Sequence, residues 1–294
     1  MGPTDQPTPN DASPEPHPGT PPDLPRAETL PVSEPFSAIP DLPPPVRDKW
    51  AHRRVEPRGL ALLWTTYLLA VTLVCFGPPA ALGGLDQLAG RYASRELLVL
   101  TAIGITVLWP LIRLSQVIPA EGGLHATLKD LFVIAVPAQA VVWPLTLLAM
   151  WPLSVVAAMG FVLLTWTFLI GGLLAAALGN PSPTPASHAL RRAAWMAFFL
   201  ALPAIGPVVV ASLPVVTSEH ADTPAMLSPV TAVLEVGRER FWSGRAAAVL
   251  PEHWVAIGVT FFVGVGVWLF AHALAAQPLP NGREDRPDHA PPAA

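Results

Sequence analysis

The stretch Trp254–Ala276 reads WVAIGVTFFVGVGVWLFAHALAA and contains no Asp, Glu, Lys or Arg. As a helix it rises about 35 Å, enough to cross a hydrocarbon core of about 30 Å with some tilt. Its apolar residues run continuously instead of alternating. In lipid, where every backbone polar group needs an internal partner, such a run is a helix and not a barrel strand.

Working outward from it, five more apolar stretches appear. The sequence predicts spans at about 59–76, 97–118, 131–150, 153–178, 194–216 and 254–276. Gly77-Pro78-Pro79 is the expected stop of the first. Only Trp151-Pro152 and its neighbours separate the third from the fourth, which predicts a tight antiparallel hairpin. Asn180-Pro181-Ser182-Pro183-Thr184-Pro185 is a loop. The expected fold class is therefore all-α: a polytopic bundle of six transmembrane helices.

The flanks differ sharply in composition. Residues 1–46 are polar and crowded with proline, cannot bury enough apolar surface to offset chain entropy, and read as a disordered cytoplasmic tail. Residues 47–58 form a basic juxtamembrane collar, Arg47, Lys49, Arg53, Arg54 and Arg58, with Trp50 among them. That pattern suits an amphipathic segment on an anionic leaflet. A 59–277 transmembrane domain follows, then a polar cytoplasmic tail, 278–294. The first residues show no basic-then-apolar signal peptide pattern.

Orientation follows from the positive charges. With the N-terminus inside, the inner side receives the collar, Arg113, Lys129, Arg191, Arg192, Arg283 and Arg286. The outer side receives Arg91, Arg95, Arg238, Arg240 and Arg245. The expected location is the cytoplasmic (inner) membrane, multi-pass, with both termini cytoplasmic.

Chemistry is sparse. The one cysteine, Cys75, lies in an apolar run and cannot build a disulfide or thiolate metal site within the chain. No HExxH, GxSxG or Walker A pattern occurs, and the histidines lack ligand spacing. Net charge is −4, which gives no case for nucleic acid. The expectation is a protein without cofactor, metal or catalytic residues. A charge inside a bilayer is costly, so polar residues within spans are the candidates for function. Arg113, Gln139 and His272 are the candidate polar path; snorkelling to the headgroups is the simpler reading of Arg113. Asp130 and Glu252 lie at expected span edges and read as helix-start caps. Ala256, Thr260, Gly264 and Trp268 recur every four residues and form a candidate helix-packing face.

Proline is frequent inside the spans: Pro110, Pro137, Pro144, Pro203, Pro207 and Pro214, with Trp-Pro-Leu at 109–111, 143–145 and 151–153. Such residues kink helices and free carbonyls. Between the fifth and sixth spans, the apolar segment 226–236 precedes the charged group Glu235, Arg238, Glu239 and Arg240. It is expected to form a short helix or a re-entrant pair resting at the outer interface.

Six spans, a basic segment before the first (46–58), a loop between the second and third (119–130, including Glu121–Asp130), and interfacial structure between the fifth and sixth (217–250) together resemble the ABC-2 type of ABC-transporter permease. The resemblance implies a permease subunit working with a cytoplasmic ATPase subunit and a second permease chain, ATP being hydrolysed outside this chain. A non-catalytic membrane scaffold or assembly protein fits the same residues. In either case the lipid bilayer is the first partner.

Overall fold

A computed structural model describes residues 58–82, 86–116, 123–179, 185–212, 223–239 and 247–276. The proline-rich tail, most of the basic collar and the C-terminal tail lie outside the described residues. Every regular element described is helical: α1 (Arg58–Leu82), α2 (Gln87–Ile103), a π-helical turn (Gly104–Leu108), α3 (Trp109–Ser115), α4 (Gly123–Val142), α5 (Leu145–Leu148), α6 (Leu153–Gly179), α7 (Pro185–Ser212), a 3₁₀ turn (Thr223–Leu227), α8 (Pro229–Val236) and α9 (Pro251–Ala275). Six helical stretches are long and apolar enough to cross a membrane: Arg58–Ala81, Gln87–Ser115, Gly123–Leu148, Leu153–Gly179, Ala189–Ser212 and Pro251–Ala275. This is the architecture of a multi-pass membrane protein.

The directions of the helices follow from their contacts. Along α6 and α9 the paired rings climb together, Phe161 with Trp254 and Phe168 with Phe261, so these two helices are parallel. Along α4 and α6 the numbers run oppositely: Gln139 Nε2 donates to Gly160 O at 2.9 Å, while Gly123 lies against Leu178. Tyr67 OH donates to Leu100 O, tying α1 to α2. Arg192 Nη2, near the start of α7, donates to Gln116 O, beside the end of α3. The spans therefore alternate. Arg58, Gln116, Gly123, Gly179, Arg192 and Ala275 lie toward one face, here the first face. Gln87, Leu148, Leu153, Ser212 and Pro251 lie toward the opposite, second face.

The fourth span, α6, is the core. Two thirds of its apolar window (67%) is buried by protein, against 17% for the fifth and sixth spans. Its sequence is apolar all round, and a helix of that kind is sheathed by others. Its own Met159, Leu163 and Ile170 are fully buried, as are Leu98, Ile105 and Trp109 of the second span. Without a hydrophobic force between helices in lipid, packing and hydrogen bonds must hold them. Indole and amide tips do this here by donating to backbone carbonyls of neighbours: Trp64 Nε1 to Ile134 O at 3.0 Å, and Trp268 Nε1 to Phe168 O at 2.8 Å.

Several expected boundaries move. The first helix runs through Pro78 and Pro79 to Leu82 instead of stopping at Gly77. These prolines lie in its last turns, so only the carbonyls of Val74 and Cys75 lose helical donors. The second helix starts at Gln87, ten residues before the expected Leu97, with Asp86 capping Ala89 N at 2.7 Å. The third starts at Gly123 instead of Leu131 and breaks at Trp143-Pro144, which α5 follows. Pro110 has no N–H for the carbonyl of Thr106, and the backbone widens into the π-helical turn, where Trp109 N bonds back to Gly104 O. Tyr67 and Trp64 lie over Gly104; a Cβ there would stand 2.5 Å from Tyr67 Cε1.

Candidate functional site

Among the described residues, two clusters of charge lie within the bundle, one toward each face. Toward the first face, Arg113 of α3 meets Asp130 of α4 in a two-pronged pair, Nε to Oδ2 at 2.6 Å and Nη2 to Oδ1 at 2.9 Å. Asp130 is fully buried and Arg113 nearly so, at 14% exposed. Arg113 Nη1 also donates to Gln116 Oε1 at 2.8 Å. The Trp109 indole lies beside the same carboxylate, but its Nε1 has no partner in hydrogen-bond geometry. Asp130 therefore does not cap a helix start: it sits seven residues, or about 10 Å, into α4. Nor does Arg113 simply reach for headgroups. The planar fork of a guanidinium matches a carboxylate, and each neutralises the cost of the other.

The three residues named as a candidate polar path do not converge. Gln139 is nine residues along α4 from Asp130, about 13 Å toward the second face, and its amide is used by Gly160 O. His272 is exposed in the last turn of α9. Of the candidate packing face, Gly264 is buried on Phe168 and Leu169, and Trp268 bonds Phe168 O. Ala256 packs against the core, and Thr260 turns its hydroxyl back to Ala256 O on its own helix.

Toward the second face, the segment between the fifth and sixth spans forms a 3₁₀ turn and a short helix that fold back against the spans. The 3₁₀ turn and α8 enter the mouth of the bundle, where Ala232, Val233 and Val236 are completely buried. Gly237, at the end of α8, lies on Met159, six residues or about 9 Å into α6. Span five is shaped to receive this segment. Pro207 has no N–H to give the carbonyl of Pro203, and Ser228 Oγ donates to that carbonyl instead, at 3.3 Å. Gly206, one residue away, leaves space that the side chains of Ser228 and Thr231 occupy; any Cβ there would collide with them.

Ion pairs fasten the inserted segment. Glu239 Oε1 is 3.0 Å from Arg91 Nη1 and 3.3 Å from Arg95 Nη2. Arg95 Nη2 also donates to Gly237 O at 2.7 Å, and Arg91 Nε to Ala149 O at 3.1 Å. Arg238 Nη1 pairs with Glu235 Oε2 at 3.2 Å. His253, with no exposed surface, accepts the Leu250 N–H on Nδ1 at 3.1 Å, and its Nε2 lies 3.7 Å from Glu235 Oε1. The second helix starts early because of this cluster: Arg91 and Arg95, spaced i and i+4, face the segment in place of lipid.

No family model, curated protein or solved structure matches this chain. Its function is therefore read from its own residues. Among the described residues no group of His, Cys, Asp and Glu is arranged to hold a metal ion. What the clusters can do is mechanical. The second-face cluster latches a short helix into an opening between spans; the first-face pair joins the ends of spans two and three. Sequence reading found Arg113 but missed Asp130 as its partner. It found the charge of Glu239 but not its partners Arg91 and Arg95, far back in the second span; Arg240 lies outside the described residues.

Proposed function

We propose that the chain is the membrane-spanning permease subunit of a transport system, with no catalytic chemistry of its own, its first face in the cytoplasm and ATP hydrolysed by a separate subunit. One observation carries the reading: the re-entrant α8 segment seated in the second-face mouth on a carbonyl freed by Pro207. A short apolar segment seated in the mouth of a bundle and held at its end by a few ion pairs is a discrete element that can seat and unseat as a unit, which is what a gate requires. A proline-opened helix under that segment gives it a specific seat.

A second reading has its own support. The interior around α6 is filled by fully buried Trp, Ile and Leu side chains, which is what a non-catalytic scaffold needs. In a permease the same filling belongs to a closed state.

The two readings separate by crosslinking full-length tagged protein in its native membrane, followed by purification and mass spectrometry. The permease reading expects an ATP-binding cytoplasmic subunit in fixed ratio to this chain, photolabelled by azido-ATP. Repeated recovery of the chain without any ATP-binding subunit would leave the scaffold.

A further inference from the structure

The lipid-facing side of the bundle is not uniform. Between α4, α6 and α9 lies a groove of about 510 Å³. Phe161, Leu164 and Phe168 of α6 form one wall, Trp254 and Phe261 of α9 the other, and Gly258 leaves bare backbone between them. Phe161 and Trp254 meet edge to face at 5.9 Å and mark its second-face end; Phe168 and Phe261 stack at 5.5 Å deeper along it. From Trp254 to Phe261 is seven residues of helix, about 10 Å. Thr165 also lines it, but its hydroxyl is committed to Phe161 O and Val162 O of its own helix, at 2.9 and 3.0 Å. Apart from the indole N–H of Trp254 at its rim, the groove thus offers a ligand no free hydrogen-bonding side chain. It takes hydrocarbon.

We infer that this groove binds one acyl chain of a bilayer lipid, entered sideways from the membrane. Its headgroup lies beside Trp254 at the second-face interface, and the chain runs down toward Phe261. The depth and the rim decide the occupant. The groove belongs to spans that cross the membrane, so its opening faces acyl chains. A transmembrane helix of a second copy is the competing occupant, but helices approach closely in membranes through small residues on both surfaces. Here large aromatic rings stand along both walls with a single glycine between them, a shape that admits a chain and holds a helix off. Trp254, an amphipathic ring in the first turn of α9, suits the headgroup boundary. The site is independent of the permease reading; a scaffold would have it too.

Two glycines of α9 supply the test. A Cβ on Gly258 meets nothing within 4 Å, so a larger side chain there fills the groove without straining the bundle. The same is true of Gly266, which lies outside the groove. Full-length protein in detergent is titrated with phosphatidylcholine bearing brominated chains, and the quenching of Trp254 is read as the difference between wild type and Trp254→Phe. Saturable quenching is expected. Gly258→Leu should weaken it at least tenfold, Gly266→Leu less than twofold, and both should elute as the wild type does. Equal binding by wild type and Gly258→Leu, or non-saturating quenching in all proteins, would overturn the assignment. A change from dimer to monomer in Gly258→Leu, with quenching unaltered, would overturn it in favour of a second copy.

Discussion

The Arg113–Asp130 pair makes a directional prediction about the first face. Asp130 has no exposed surface, whereas Arg113 is 14% exposed and lies two residues from the end of α3. Removing Arg113 strands a carboxylate that cannot reach water. Removing Asp130 leaves a guanidinium that retains Gln116 and can swing its long side chain to the first face. Breaking a buried pair costs about 3–5 kcal/mol when the remaining charge is trapped. Arg113→Ala should fall in that range, since two charge-assisted bonds of about 1.5–3 kcal/mol each are lost together. Asp130→Ala should cost about 1–2 kcal/mol, because the remaining charge resolvates. The double variant Arg113→Met/Asp130→Leu replaces ions with apolar groups and should come within about 1 kcal/mol of the wild type. Equilibrium unfolding in mixed micelles with increasing denaturing detergent compares the three variants with the wild type. The reasoning is refuted if Asp130→Ala is as damaging as Arg113→Ala, or if the double variant is no better than Arg113→Ala alone.

Other outcomes follow from single contacts. Gly264→Leu places a Cβ 2.8 Å from Phe168 Cδ1 and should destabilise the bundle by about 1–3 kcal/mol, lowering the melting temperature in detergent, while Gly266→Leu leaves it unchanged. Glu239→Gln removes the negative charge shared by Arg91 and Arg95; amide exchange across residues 223–239 should speed up about tenfold, with α6 unaffected, by hydrogen-exchange mass spectrometry. Ser228→Ala leaves the carbonyl of Pro203 without its donor and should weaken seating of α8 by about 0.6 kcal/mol, a two- to threefold faster exchange of the same residues.

How much was legible depended on the range of the interaction concerned. Trp254–Ala276 reads as a span because hydrophobic length is a property of consecutive residues. Gly258 and Gly264 look alike in that string, yet one faces open space and the other a phenylalanine ring. Pro78 and Pro79 read as a stop because proline lacks a donor, but near a helix end few carbonyls depend on that donor. The ten tryptophans are plain in the sequence; that Trp64 and Trp268 bond neighbouring backbones is not.

By itself the amino-acid order determined an all-helical chain of six membrane-length spans, for the local reason that lipid demands long uncharged runs with internally satisfied backbones. Only the tertiary structure decided what the charges do. Arg113 finds Asp130 across 17 residues, and Arg91 finds Glu239 across 148. It alone seated the segment after span five on Met159 and on the carbonyl of Pro203. A charge near a membrane is stabilised by whatever partner the fold brings to it, and the identity of that partner is a fact about distance in space, which the spacing of residues along the chain does not contain.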